Sequence, residues 1–185
     1  MRVISGERRG KKLVTLEGLT TRPTLDRVKE ALFNIIQFKI QNAEILDLFA
    51  GSGSLGIETL SRGAKQVVFC DNSNDAIKII EKNVELTNYK EKSIIINKNY
   101  KEALKQISNL NKKFDIIFLD PPYKSEFAEK ALEKLIQLDL IADDGIVIVE
   151  TDDKNKKDTL SLNKEIEIYD ERKYGSVTLI FIRKE

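Results

Sequence analysis

The chain contains no histidine and only one cysteine, Cys70, among its 185 residues. The lack of histidine excludes Ser-His-Asp triads, histidine acid-base catalysis and histidine metal ligands. A single cysteine can form neither an intramolecular disulfide nor a cysteine zinc cluster, and we expect no metal site. The chemistry must therefore use carboxylates, amides, hydroxyls, backbone groups or a bound cofactor.

Proline, glycine and long apolar runs are also scarce. Three prolines, nine glycines and 41% hydrophobic residues exclude a fibrous repeat and extensive disorder. No apolar run approaches the ~20 residues that a membrane helix requires, and the N-terminus lacks the apolar core of a signal peptide. We therefore expect a soluble, cytoplasmic protein whose length allows a full hydrophobic core.

An excess of one charge sign is absent overall, but the basic residues are unevenly distributed. The formal net charge is +1, whereas residues 1–29 hold eight basic and three acidic side chains. Five of the eight arginines lie within the first 27 residues. Arginine can bind phosphate through two parallel hydrogen bonds, unlike the point charge of lysine. This cluster indicates either a phosphate-bearing partner or a solvated basic surface.

From residue 44 onward, short apolar runs alternate with amphipathic segments. The runs are continuous and rich in β-branched residues, which is typical of strands buried on both faces. They span residues 44–49, 66–71, 93–97, 114–120 and 145–150. Helices are predicted between them, over residues 75–86 and 125–138. This order predicts a doubly wound α/β fold whose sheet is mostly parallel.

The inward faces of these helices follow from their periodicity. In the first helix they are Ala76, Ile77, Ile80 and Val84. In the second they are Phe127, Ala131, Leu135 and Leu138.

The two ends of the chain depart from the alternation. Residues 165–184 contain two extended segments joined at Tyr174 and Gly175, which predicts an antiparallel hairpin at a sheet edge. A parallel sheet closed by such a hairpin is, by analogy, the Rossmann-like architecture of class I methyltransferases. Residues 1–43 are interpreted as a basic extension packed on a main domain of residues 44–185.

Within that extension we predict a small hairpin followed by a helix. The hairpin turns at residues 6–10, and the helix begins after Thr24 as its N-cap. Its predicted inward residues are Leu25, Val28, Leu32 and Ile35.

A glycine-rich loop follows the first strand, with Gly51, Ser52, Gly53 and Gly56 in sequence after Asp47. Glycines there let a ligand approach the backbone, and the following helix N-terminus presents unpaired N–H groups. The spacing also satisfies G-x-G-x-x-G, so NAD is the first alternative ligand. Gly56 is expected to allow close helix–strand packing.

One of two acids near the loop, Asp47, favours S-adenosylmethionine over NAD, whereas Asp71 suits either. Asp47 lies inside the strand, where a carboxylate can bind an amino group but would repel a pyrophosphate. Asp71 ends the second strand, where an acid can bind ribose hydroxyls of either cofactor.

The most specific motif is Asp120-Pro121-Pro122-Tyr123, directly after the fourth strand. The carboxyl ends of such strands form the ligand crevice, so this motif and the glycine loop should share one cleft. The prolines restrict the backbone and remove two N–H donors. A carboxylate, rigid carbonyls and an aromatic ring suit a planar base with an exocyclic amine, because catalysis then depends on orientation and electrostatics. The alternative is a plain β-turn.

Five segments together resemble the RsmD-like 16S ribosomal RNA guanine-N2 methyltransferases over nearly the whole chain. They are MRVISGERRGKKL, TRPTLDRVKEALFNII, LDLFAGSGSLGIETLSRGA, FDIIFLDPPY and LIADDGIVIVE. The resemblance implies methylation of a guanine amine in 16S rRNA, within the small ribosomal subunit or an assembly intermediate, by a monomer that uses S-adenosylmethionine.

The resemblance also implies roles for individual residues. Asp47, Phe49, Gly51, Ser52 and Gly53 would hold the methionine end of the cofactor, while Asp71, Asn72 and Asn99 would hold ribose and adenine. Asp120, Pro121, Pro122 and Tyr123 would form the catalytic base site. RNA contacts are expected from Arg8, Arg9, Arg22, Thr24 and Arg27. For Arg22 and Arg27 a contact with the cofactor is the alternative.

Three alternatives remain open from the sequence. The same motif also occurs in amino-methyltransferases of DNA adenine or of protein glutamine. A non-catalytic RNA-binding module with a vestigial cofactor fold is the third.

Overall fold

The protein is built around a seven-stranded sheet. The computed structural model describes residues 1–15, 23–122 and 125–185; for residues 23–25 it describes the backbone only. The strands are β1 (Glu44–Asp47), β2 (Gln66–Asp71), β3 (Ser93–Asn97), β4 (Phe114–Leu119), β5 (Ile141–Thr151), β6 (Ile166–Tyr174) and β7 (Val177–Lys184). Their spatial order is β3-β2-β1-β4-β5-β7-β6.

The helices lie between these strands. They are α1 (Pro23–Ile36), α2 (Ser54–Ser61), α3 (Asn74–Thr87), α4 (Tyr100–Ser108), α5 (Phe127–Gln137) and α6 (Lys156–Leu160), with 3-10 turns at Gln37–Lys39 and Lys90–Lys92. No helix within the described ranges is long and apolar enough to cross a membrane.

The first five strands pair in parallel, whereas β7 pairs antiparallel with both β5 and β6. The predicted doubly wound sheet with a C-terminal antiparallel hairpin is therefore confirmed. Parallel pairing places the carboxyl ends of β1, β2 and β4 at one edge of the sheet. Asp47 and Asp71 end their strands there, and Asp120 directly follows β4.

The fifth strand is longer than predicted. It begins at Ile141 instead of residue 145, since the pairing with β4 contains an irregularity at which Ile141 faces Phe114 and Ile146 faces Ile116. The exposed residues Asp143 and Asp144 lie in this irregular stretch and interrupt the apolar run. Because of this interruption, the hydrophobicity pattern did not show where the strand begins.

The predicted inward face of the N-terminal helix is correct at Val28 and Leu32, which are buried, and wrong at Ile35. Ile35 is 38% exposed, whereas Phe33 and Ile36 are buried. The Phe33 ring packs 6.1 Å from the Phe118 ring on β4, which sets the rotation of the helix. The helix also begins at Pro23, so Thr24 belongs to its first turn and is not its N-cap, consistent with the preference of proline for the first helical position.

The other helix predictions were largely correct. All four predicted inward residues of α3 are buried. Helix α5 begins at Phe127, two residues later than predicted, and Phe127 is 40% exposed because it faces the cleft described below. Apolar side chains form two clusters, and the one that contains Phe33 and Phe118 also includes Val3 and Leu13 from the N-terminus.

A buried carboxylate attaches the N-terminal residues to the body. Glu58 of α2 is fully buried and accepts hydrogen bonds from the backbone N–H groups of Ile4 and Ser5, at 2.8 and 3.0 Å. It also forms ion pairs with the buried Lys29 of α1, at 3.1 Å, and with Arg62, at 2.9 Å. The predicted hairpin is present as an antiparallel bridge between residues 2 and 12. The division at residue 43 remains a prediction.

We predict that Glu58→Ala destabilises the protein by roughly 3–5 kcal/mol, because it leaves the buried Lys29 and two partly buried N–H groups without their acceptor. Chemical denaturation measures this change in the free energy of unfolding. The matched control is Glu85→Ala, which removes an exposed glutamate from α3. Equal effects of the two substitutions would contradict the anchoring role of Glu58.

Candidate functional site

A cavity of about 760 Å³ lies at the carboxyl edge of the sheet. Its walls include eight residues predicted from the sequence: Phe49, Gly51, Asp71, Asn72, Asn99, Asp120, Pro121 and Pro122. The glycine loop and the Asp-Pro-Pro motif therefore share one cleft, as predicted. Tyr123 lies outside the described residues.

The glycine loop is built for close approach of a ligand. Gly51 has a φ of +55°, and a Cβ atom placed on it would meet nothing within 4 Å, so its backbone is open to the cavity. Its N–H group donates a hydrogen bond of 2.9 Å to Asp71 Oδ2. Gly56 has a different role, since a Cβ atom there would lie 2.3 Å from the Phe69 ring. The predicted packing role of Gly56 is confirmed.

Asp47 lies beneath the loop and is 98% buried, and it is not among the wall residues of the cavity. Its Oδ2 atom accepts a hydrogen bond of 3.1 Å from the N–H group of Gly56. Burial raises the pKa of Asp47 to about 7, and the charge of Asp71 adds to this increase, whereas the Gly56 hydrogen bond opposes it. Ser52 and Gly53 are likewise not among the wall residues. Cofactor contacts by these three residues remain a prediction.

Sequence reasoning missed Asn83, which connects the loop to the N-terminal residues. Its side chain is fully buried. Oδ1 accepts a hydrogen bond from the Val14 N–H group at 2.8 Å, and Nδ2 donates to the carbonyls of Val14 and Ser52, both at 2.9 Å. The sequence held one signal of this role, because Asn83 is a polar residue beside the apolar face predicted for helix α3. Such a residue needs hydrogen-bond partners when it is buried.

Asn99 lies at the cavity wall as the N-cap of α4. Its Oδ1 atom accepts hydrogen bonds from the N–H groups of Lys101 and Glu102, both at 3.1 Å. Asparagine and aspartate are about equally good N-caps, which accounts for an amide at this position. The predicted adenine contact is not tested by this geometry.

An aromatic wall is the second feature that the sequence did not indicate. Phe49 after β1, Tyr100 of α4 and Phe127 of α5 contact one another with ring centroids 5.5–6.5 Å apart. The Phe49 and Phe127 rings are nearly parallel, at 6°. These residues lie on three separate segments, and all three line the cavity. They offer aromatic side chains against which a planar ring can pack.

Asp120 forms the acidic end of the cavity and is partly buried. It directly follows the pair Leu119 and Val149 of β4 and β5, and Glu150 follows on the neighbouring strand. Burial first, then the charges of Glu150 and Asp47, raise the pKa of Asp120 well above its ordinary value. Burial likewise raises the pKa of Glu150 to about 7. Three carboxylates thus approach one another with little solvent.

Three of the predicted RNA-contacting side chains, those of Arg8, Arg9 and Arg27, lie within the described part of the chain. The Arg8 Nε atom donates a hydrogen bond of 2.8 Å to the Thr87 carbonyl at the end of α3, and its guanidinium lies over the Tyr89 ring. Because α3 begins beside the cavity and is 14 residues long, Arg8 lies roughly 20 Å from it. Arg9 and Arg27 are exposed.

Arg22 and the Thr24 side chain lie outside the described residues. RNA contacts of all five residues remain predictions, and Arg8 has an additional structural role.

Comparison with known proteins identifies the family of this chain. The sequence pattern of the family described as conserved hypothetical protein 95 matches residues 1–183. The chain belongs to this family, the RsmD family. It is 41% identical over 153 residues to ribosomal RNA small subunit methyltransferase D of Haemophilus influenzae, covering 82% of this chain and 79% of that protein. The protein of the same name from Escherichia coli is 32% identical over 163 residues, covering 88% and 80%.

Solved structures give the same result for the fold of this RsmD-family chain. A structure from Escherichia coli, titled as a methyltransferase, has a TM-score of 0.87 and 32% identity, and covers 100% of this chain and 98% of that one. A more distant methyltransferase structure with bound SAH has a TM-score of 0.63 at 15% identity, covering 81% of this chain and 48% of that one. At that identity the likeness concerns the fold alone. The class I methyltransferase fold is thereby confirmed.

We predict that Asp47→Asn abolishes part of the pH dependence of stability. The folded protein keeps a proton on Asp47 up to about pH 7, whereas an unfolded aspartate releases it near pH ~4. Stability from this group is therefore present at low pH and is lost as the pH rises through that window.

The variant should be more stable than the wild type at pH 8, because an amide needs no ionisation and can still accept the Gly56 hydrogen bond. Denaturation at pH 5 and pH 8 measures this difference, with the exposed Asp75→Asn as the control. Parallel pH profiles for wild type and Asp47→Asn would contradict the raised pKa.

Proposed function

We propose that this chain is an S-adenosylmethionine-dependent methyltransferase that modifies the exocyclic N2 amine of a guanine in 16S ribosomal RNA. The observation that carries the proposal is the single cavity that joins Gly51 and Asp71 to the Asp120-Pro121-Pro122 motif. The names of the family relatives support small-subunit ribosomal RNA as the substrate class. The guanine and its N2 atom are our assignment.

The residues at the glycine loop fit the proposed cofactor. Asp71 accepts hydrogen bonds from the N–H groups of Gly51 and Ser73, both at 2.9 Å, so its carboxylate is held in a fixed orientation. It would bind the ribose hydroxyls, and the open backbone of Gly51 would lie against the amino-acid end. The aromatic wall would pack against a planar ring of the cofactor or substrate. The cofactor supplies an electrophilic methyl group on sulfur.

Asp120 would orient the amine of the base. The lone pair of an exocyclic amine is delocalised into the ring, so the nitrogen becomes a nucleophile when acceptors bind its hydrogens and align it. The Asp120 carboxylate and the Pro121 carbonyl would accept these two hydrogens. Because the pKa of Asp120 is raised, its carboxylate is a stronger proton acceptor than an exposed aspartate. It would take the proton released when the nitrogen–carbon bond forms.

The expected partner is the small ribosomal subunit or an assembly intermediate, and the enzyme would act as a monomer in the cytoplasm. The exposed Arg9 and Arg27, together with Arg22, would contribute phosphate contacts. Methylation of DNA adenine or of a protein glutamine would use the same acceptor chemistry. The N-terminal excess of arginine and the names of the relatives favour ribosomal RNA.

The proposed function is tested by mapping the methylated nucleoside. Small-subunit particles from a strain that lacks the gene are incubated with the protein and isotope-labelled S-adenosylmethionine. Mass spectrometry of the nucleosides should find label in N2-methylguanosine of 16S RNA. Label in an adenosine, a protein glutamine or no product would contradict the assignment, and binding of NADH without S-adenosylmethionine would contradict the cofactor.

We predict that Asp120→Ala lowers the rate of methyl transfer at least ~100-fold, because the amine loses its charged acceptor. Cofactor binding, measured by calorimetry, should change much less, since the glycine loop and Asp71 are intact. The control is Asp158→Ala, which removes an exposed carboxylate from α6 with the same change in net charge. An active Asp120→Ala enzyme would exclude the proposed role of this carboxylate.

A further inference from the structure

We propose that Lys98 and Lys101 form a phosphate-binding rim at the cavity mouth, which holds the RNA backbone next to the target nucleotide. This inference rests on the proposed function and adds a second RNA-binding surface to the N-terminal arginines. The rim lies at the junction of β3 and α4. The distribution of charged residues along the sequence did not indicate these two lysines.

The backbone at this junction is held firmly beside the cofactor acid. The Lys98 N–H group donates a hydrogen bond of 3.0 Å to the Asp71 carbonyl. The Lys101 N–H group donates to the Asn99 side chain at 3.1 Å. Both lysines are exposed and line the cavity. Two flexible cationic side chains are therefore presented at its mouth from fixed backbone positions.

No acidic side chain among the described residues neutralises the charges of these lysines. Neither forms an ion pair with any side chain in residues 1–15, 26–122 and 125–185. By contrast, the third lysine of the cavity wall, Lys130, pairs with Glu126 at 2.7 Å. The floor of the same cavity is acidic, with Asp71 and Asp120. The site thus combines negative charge at its base with unpaired positive charge at its opening.

This polarity matches a nucleotide that enters base first. A base that is extruded into a pocket places its exocyclic amine at the bottom, at Asp120, and leaves its ribose and flanking phosphates at the mouth. Phosphates are bound there by lysine side chains, independently of sequence. The acidic floor would repel a phosphate, so the charge distribution also disfavours entry backbone first.

The basic surface continues away from the cavity along α4. Lys98 and Lys105 border a second groove of about 380 Å³, together with the amides of Gln106 and Asn109 and with one carboxylate, that of Glu102. Amide side chains donate and accept hydrogen bonds with ribose and phosphate oxygens. An RNA strand that leaves the cavity mouth past Lys98 can therefore follow this groove, where the two lysines outnumber the one carboxylate.

The test is the double variant Lys98→Gln/Lys101→Gln. Its matched control is Lys90→Gln/Lys92→Gln, which makes the same charge change on exposed lysines at the opposite end of β3, roughly 16 Å away. Affinity for 16S RNA in small-subunit particles lacking the modification is measured over a series of salt concentrations. S-adenosylmethionine affinity and thermal unfolding are measured for both variants.

We expect the rim variant to bind the particles roughly tenfold more weakly, with a salt-dependence slope reduced by about 0.7 per lysine. The control pair should retain the wild-type affinity and slope. An unchanged slope in the rim variant, or an equal loss in the control pair, would overturn the inference. A loss confined to S-adenosylmethionine affinity would also overturn it, by assigning the lysines to the cofactor. Failure of the wild type itself to bind the particles would refute the proposed function instead.

Discussion

The parallel pairing of β1 with β2 and β4 is the constraint on which the site depends. In this arrangement Asp47 lies in register with Phe69 on one side and with Phe118 on the other. All three strands then end at one edge of the sheet, so their final acids and the loops that follow them converge. The glycine loop, Asp71 and Asp120 share a cavity because of this register, although they are far apart in the chain.

The electrostatic character of the site follows from that convergence. Burial raises the pKa values of Asp47, Asp120 and Glu150, and the charges of neighbouring carboxylates add to the increase for Asp47 and Asp120. A ligand that brings positive charge, or hydrogen-bond donors, relieves this cost. The proposed sulfonium cofactor and amine substrate both do so. The exposed Lys98 and Lys101 at the cavity wall carry the opposite charge, where we propose that a phosphate lies.

Buried hydrogen bonds also connect the N-terminal residues to the elements that form the site. Glu58 fastens the first residues to α1 and α2, and Asn83 fastens Val14 to the glycine loop through a shared side chain. Buried polar side chains of this kind are costly unless all their partners are present. The position of the N-terminal residues and the shape of the glycine loop therefore depend on each other. The basic charge of the N-terminus was visible in the sequence, but this coupling was not.

The sequence alone determined the strand order along the chain, the glycine loop and the Asp-Pro-Pro motif, because local periodicity and turn chemistry depend on neighbouring residues. The rotation of α1, the aromatic wall and the role of Asn83 were decided by tertiary packing. Phe49 was expected at the cofactor, but Tyr100 and Phe127 resemble ordinary core residues in their own segments, and only the fold brings the three rings together. Arg8 likewise belongs to a basic cluster in sequence, but its packing against Thr87 and Tyr89 separates it from the cleft. Contacts between distant segments have no local signature, since they arise only when the sheet has assembled.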